Sequence, residues 1–176
     1  MKLTKITPQN LAILSLLVIT VLAVGVSVWA VFFRASDTPL VPDYAPKELE
    51  SNQKPIPGDT GDKLEQPENG GAVSITFSNE VTVKLNDRTI TLLFANPRRS
   101  GQDMVIQLVI RDTVIVQSGR IVPGNQVSVL TLGAGMEQRL LPGGYDGKFV
   151  IHYYDPETGE KAIVNTEIPI TVTVQE

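Results

Sequence analysis

An all-β antiparallel sandwich is the fold the sequence predicts for residues 71–176, preceded by one apolar helix and a disordered linker. Three observations predict it. From Gly71 onward apolar residues recur at every second position, the period of a strand with one face in a core. Clusters of Gly, Pro, Asn and Asp punctuate this pattern at the spacing of roughly eight to twelve residues typical of short strands. No segment after residue 34 holds a 3.6-residue period, so helices are not expected there. The outcome is a sandwich of 7–9 strands.

The N-terminal part has a different logic. Residues 11–33, "LAILSLLVITVLAVGVSVWAVFF", are 23 positions without a charge. At about 1.5 Å per residue such a helix crosses a hydrocarbon core of about 30 Å. Trp29, Phe32 and Phe33 gather at its C-terminal end, where aromatic rings favour the membrane interface. The segment predicts a transmembrane signal-anchor helix, with residues 1–10 as a short cytoplasmic tail. A cleaved signal peptide is the alternative, with Val28-Trp29-Ala30 as its cleavage site. The apolar run is longer than an ordinary signal core and continues past that site. Lys2 and Lys5 precede the span and Arg34, Lys47 and Lys54 follow it, so flanking charge does not set the orientation.

Residues 34–70 read as a Pro-rich acidic linker. Pro39, Pro42, Pro46, Pro55, Pro57 and Pro67 fall here, with eight acids against three lysines. Apolar residues are sparse and aperiodic, which predicts an extended, self-repelling tether. This tether places the C-terminal domain outside a cell membrane, on a single-pass protein with a cytoplasmic N-terminus.

The strands follow in order. Val73, Ile75 and Phe77 alternate, then Val81, Val83 and Leu85, before an Asn86-Asp87 turn of hairpin type. Ile90, Leu92 and Phe94 precede the break "NPRRSGQ". Met104, Ile106, Leu108 and Ile110 lead through Arg111-Asp112-Thr113 into "VIVQS". After "GRIVPGNQ" come "VSVLTL" and a glycine-rich loop through Gly144. Tyr145, Phe149, Ile151 and Tyr153 line one face of the next strand, which leaves Lys148, His152 and Tyr154 facing outward. "DPETG" is a hairpin loop with Gly where positive φ is accommodated. The closing runs "KAIVNTE" and "IPITVTV" are divided near Pro169, as proline divides a ladder at an edge or bulge.

Tyr145 stands just past the break in "LLPGGYDGKFVI", at the head of an alternating run. This stretch resembles the F-strand region of fibronectin type III and related bacterial immunoglobulin-like domains. The resemblance extends in strand order over residues 71–176 and is specific around Leu141–Phe149. It implies that Tyr145 is a tyrosine corner, its hydroxyl turned back onto upstream backbone. It also implies a scaffolding or binding role. The cysteine pair and core tryptophan of antibody domains are missing.

Composition narrows the function classes. A net charge of −4 does not suit a phosphate backbone, so nucleic acid is not expected as a partner. The absence of cysteine and of Asn-x-Ser/Thr sites suits a bacterial surface. One histidine, His152, gives no metal-ligand set, and no nucleophile elbow or phosphate loop occurs. Asp155, Glu157 and Glu160 lack the spacing of an EF-hand. Lys84 and Asn165 have chain positions suited to a Lys–Asn cross-link, but alternation sends Lys84 outward, so no such bond is expected.

The expectation is therefore a membrane-anchored, extracytoplasmic, non-catalytic module for protein binding, adhesion or assembly, with no cofactor and no metal. Its partners would be an envelope or extracellular protein and, through residues 11–33, the lipid bilayer. A structural subunit of a larger envelope complex is the alternative, followed by a carbohydrate-binding module with Tyr154 as its outward aromatic. Strand parity puts "NPRRSGQ", "GRIVPGN" and "DPETGE" at one end, with Arg98 and Arg99 near the acids of the last. The loop holding Met136, Glu137, Gln138 and Arg139 falls at the other end and is the candidate partner-binding loop.

Overall fold

The computed structural model describes residues 8–33, 41–65 and 71–176, with the side chains of the helix described over 13–26. The chain divides into two units at Asp37. The first contains α1 (Pro8–Phe33), 26 residues long. Inside it Thr20 donates its hydroxyl to the Leu16 carbonyl at 2.9 Å, which satisfies a polar group on a mostly apolar surface. Among the described residues no helix is long and apolar enough to cross a membrane. The expected span, 11–33, extends beyond the described side chains at both ends. Of the expected tail, residues 1–7 lie outside the described residues and residues 8–10 belong to α1.

The second unit is all-β. Its strands are β1 (Gln53–Pro55), β2 (Thr76–Phe77), β3 (Glu80–Lys84), β4 (Thr89–Asn96), β5 (Asp103–Ile110), β6 (Thr113–Gln117), β7 (Asn125–Thr131), β8 (Gly143–Tyr154) and β9 (Lys161–Gln175). They form one sheet in the order β1-β7-β4-β3-β9-β8-β5-β6, with β2 beside β4. The expected two separate sheets are joined, because β3 pairs in parallel with the end of β9. The sheet curls strongly. Phe94 on β4 and Phe149 on β8 lie three strands apart, yet their ring centroids are 6.1 Å apart, edge to face. In a flat sheet about 4.8 Å per strand would separate them much further. The curl brings two apolar faces together around one core that includes Val83, Ile90, Ile106, Leu108, Ile151 and Val172. Period-two alternation created those faces, and their burial is the main stabilising term.

Two connections differ from expectation in detail. Lys84 pairs with Thr89, so the first hairpin turns through four residues, with Arg88 at φ 51°, not through Asn86-Asp87 alone. Pro169 does not divide its strand: β9 runs unbroken for 15 residues. Thr171 directs its amide away from β8, to the Asn79 carbonyl. Pro169, two residues earlier, therefore turns its nitrogen to that same outer side, where no β8 bond is lost.

The larger correction concerns the linker. Of expected residues 34–70, positions 34–40 and 66–70 lie outside the described residues, but 41–65 pack on the β unit. Lys161 donates its amide to Asp43, Ala45 to Gly159, and Arg120 to Glu48; Glu50 returns a bond to Arg120. This segment thus runs from the β8–β9 turn across β8 and β5 to the residues after β6. Next, β1 adds to β7 at Gln53–Val127, Ile56 donates to Gly124, and Leu64 to Arg99. Few apolar side chains are involved, which is why hydrophobic patterning gave no sign of it. Backbone hydrogen bonds hold the segment, and any sequence carries those donors and acceptors. The β unit consequently begins ahead of residue 71.

The strap also corrects the outward face of β8. His152 is 5% exposed and Tyr154 fully buried, where a solvated histidine and an exposed aromatic were expected. Alternation placed them on the opposite side from Ile151, but the strap covers that side. The Tyr154 hydroxyl donates to the Pro42 carbonyl at 3.2 Å. All eight residues of β5 are buried, Val109 at its far end against Val114 and Val150.

Candidate functional site

At the end of the unit that carries the expected loop, three connections converge. Ile110 pairs with Thr113, leaving Arg111-Asp112 as a two-residue turn with φ of 48° and 61°, the signature of a type I′ hairpin. Residues with a Cβ occupy this conformation at a cost. The turn sets the Arg111 guanidinium over the Tyr145 ring, 5.0 Å from its centroid. The Tyr145 hydroxyl donates to the Leu141 carbonyl at 2.8 Å, four residues upstream. Ring, guanidinium and upstream backbone thus form one stack at the head of β8.

The loop itself is ordered rather than free. Residues Met136–Gln138 form a 3-10 turn entered through Gly135 at φ 76°. Met136 is 8% exposed and joins the main core, as does Leu140. Leu132 donates to the Arg88 carbonyl and Gly133 to that of Ile115, which pins the loop to both halves of the sheet. A side chain at Gly133 would meet the Ile115 carbonyl oxygen at 2.8 Å, so glycine is required by close approach. Glu137 faces Arg88 at 3.8 Å, a partly exposed pair worth about 0–1 kcal/mol. The candidate partner-binding loop is therefore held by contacts within the β unit. Met136 plugs the core, Glu137 faces Arg88, and Gln138 and Arg139 remain exposed.

Between loop and turn lies a cleft of about 180 Å³, bordered by Arg111, Ile115, Met136, Arg139, Leu140 and Tyr145. Leu141, at its rim, is 72% exposed. Sequence patterning placed Met136, Arg139, Tyr145 and the Arg111–Thr113 turn at this end but did not single out Arg111 as a site residue. The available signal was Arg-Asp standing where a two-residue hairpin favours Asn-Gly.

At the opposite end the geometry is structural. Arg98 donates its backbone amide to the Asp59 carboxylate at 2.6 Å, and among the described residues neither Arg98 nor Arg99 is ion-paired with Asp155, Glu157 or Glu160. Asp155 instead accepts the amides of Glu157 and Thr158, and these hold its carboxyl below the usual range. No group of three or more His, Cys, Asp or Glu side chains converges among the described residues. Lys84 lies opposite Gln175, ten positions along β9 from Asn165, and both Lys84 and Asn165 are exposed. About 3.3 Å per residue separates them far beyond bonding distance.

Beneath the strap, Asp103 meets Arg120 at 3.3 Å. Burial raises the Asp103 carboxyl above the usual range despite the opposing guanidinium. His152 lies 3.4 Å from Gln107, and burial lowers its basicity, with the charge of Lys161 adding to the effect. Asp103 and His152 are buried, at 2% and 5% exposure.

No family model matches the chain, and no curated protein matches it. Among solved structures it is similar to AggA, the major subunit of aggregative adherence fimbriae type I from Escherichia coli. The match has 12% identity over 64% of this chain and 100% of that one, with a TM-score of 0.31. At that score the likeness carries no argument about fold or role.

Proposed function

We propose that this chain is a membrane-anchored, extracytoplasmic immunoglobulin-like module of a bacterial envelope, acting in non-catalytic protein binding, adhesion or assembly. Strand order supports the immunoglobulin-like assignment. Taking β3, β4, β5, β7, β8 and β9 as A, B, C, E, F and G gives E-B-A and G-F-C neighbours, as that fold requires. β1, contributed by the strap, takes the place of strand D. The Tyr145–Leu141 bond at the head of F fits a tyrosine corner.

The observation that carries the binding role is the convergence of Arg111, the 136–139 turn and Tyr145 around an open cleft at one end of a rigid sheet. Recognition surfaces are commonly built on such loops. The anchor rests on the uncharged run 11–33 and on the helical conformation of Pro8–Phe33. The test is photo-crosslinking in native membranes from Glu137, beside the cleft. A discrete envelope partner is expected there, and crosslinks to lipid or to nothing would defeat the proposal. Protease added to intact, wall-stripped cells should also release a folded β fragment; a fragment seen only after lysis would reverse the topology.

A second reading, a structural subunit of a larger envelope complex, is favoured by β9. Between its contacts with Asp43 and with β3, this strand has, among the described residues, only β8 beside it. Ile163 and Val164 there are 105% and 69% exposed, an edge suited to contact with a neighbouring subunit. A crosslink from Ile163 and none from Glu137 would select this alternative. The carbohydrate-binding alternative loses its support, because Tyr154 is buried.

A further inference from the structure

We infer that the cleft beside Arg111 takes an extended peptide bearing an acidic side chain two residues from an aliphatic one, so that both point to the same face. This rests on the binding role proposed above and names its ligand chemistry.

The argument starts from charge. The chain is acidic, at −4, yet the cleft is bordered by two arginines and no acid. Among the described residues Arg111 has no ion pair; its contact is the face of Tyr145. The acid of the neighbouring loop, Glu137, faces Arg88. A guanidinium whose contact is a ring face keeps N–H donors available for a carboxylate, which an arginine can meet with two parallel bonds. The Arg111 backbone is held at φ 48°, where asparagine or glycine sits more easily, so the turn is built at a conformational cost that presents this side chain.

Size and polarity define the rest. The cleft, about 180 Å³, equals roughly six waters at about 30 Å³ each. That suits one aliphatic side chain and falls below the usual few hundred Å³ of small-molecule sites. Ile115, Met136 and Leu140 supply its apolar wall, and Leu141 adds an exposed apolar rim. Polyanions are disfavoured because the cleft has no basic stripe to track a repeating charge.

The test is fluorescence anisotropy with the full chain in detergent micelles. The probe is a labelled octapeptide with Glu and Leu alternating at every second position and Ser between them, so that both share one face, compared with Gln/Leu and Glu/Ser versions. The Glu/Leu peptide should bind, and each altered version at least tenfold more weakly. Arg111→Gln and, separately, Leu141→Ser should each weaken Glu/Leu binding at least fivefold, with an unchanged denaturant midpoint for Leu141→Ser. Should Arg111→Gln fail to fold, the exposed Leu141→Ser variant and the peptide series still decide. Equal binding of the Gln/Leu peptide, equal competition by polyphosphate, or insensitivity to Leu141→Ser would overturn the inference. If the peptide does not bind while Glu137 crosslinks a partner in membranes, the ligand chemistry is wrong and the binding role stands. If neither occurs, both fail.

Discussion

Glu50 accepts a hydrogen bond from the amide of Gly119 at 2.7 Å, joining residues 69 positions apart. The same carboxylate accepts from the amide of Asn52, and Glu50 is 8% exposed. A side chain at Gly119 would meet the Glu50 amide nitrogen at 2.8 Å and its Cα at 2.9 Å. Strap and sheet are therefore in backbone contact at this point, and only glycine permits it.

Glu50→Ala should destabilise the β unit by about 1.5–3 kcal/mol, the range for hydrogen bonds to a charged group. Gly119→Ala should cost about 1–3 kcal/mol through the imposed overlap. A chain beginning at residue 71 should be less stable than one beginning at residue 38, since Val105, His152 and Tyr154 lose their cover. Chemical denaturation measures all three. Equal midpoints for the two chains would mean that the strap contributes nothing to folding.

Tyr145→Phe removes the bond to Leu141. That bond is exposed to solvent, so water replaces part of it and the loss should be about 0.5 kcal/mol, the low end for a hydrogen bond. The Arg111 contact with the ring should survive. A cost several times larger would show that the hydroxyl does more than pin the turn.

Met136→Ala should cost about 2–5 kcal/mol, because it opens a cavity in the core, whereas the exposed Gln138→Ala should stay within about 0.5 kcal/mol. The two substitutions lie two residues apart, and comparing their thermal midpoints separates a core plug from a surface turn. Similar effects would contradict the docking of the loop.

His152 gives the pH dependence a definite sign. Burial holds it below its ordinary value of 6.5, so the folded chain binds fewer protons there than the unfolded chain. Its contribution is full above pH 6.5 and is lost as pH falls through the depressed folded value. Asp103 is raised above 3.8, so its contribution has the opposite sense: it is present below 3.8 and lost as pH rises through the raised folded value. Across the window from about pH 7 to 5.5, His152→Gln should flatten the acid-side loss of stability. Urea midpoints at the two pH values check this, and an undiminished slope in the variant would assign the effect to other groups.

The sequence alone determined the strands. Side chains alternate across a strand whatever surrounds it, so Met104, Ile106 and Leu108 on one face, and Phe149 and Ile151 on another, were bound to build apolar surfaces. It also determined where the chain turns, because positive φ at Gly135 and Gly159 is a local property of glycine. Tyr145 at the head of β8 was legible for the same reason. The tertiary structure decided what covers each face. His152 and Tyr154 were placed correctly by parity and wrongly by environment, since nothing local to β8 announces that residues 42–50 cross it. Met136 reads as a flexible loop residue until the curl of the sheet leaves a core opening for it to fill. The strap is held largely by backbone groups common to every sequence, and the cleft exists only where Arg111 is folded to the same end as Leu140 and Tyr145, far from it in the chain. Local periodicity carries the first kind of information; contacts between distant segments carry the second, and no window along the chain contains them.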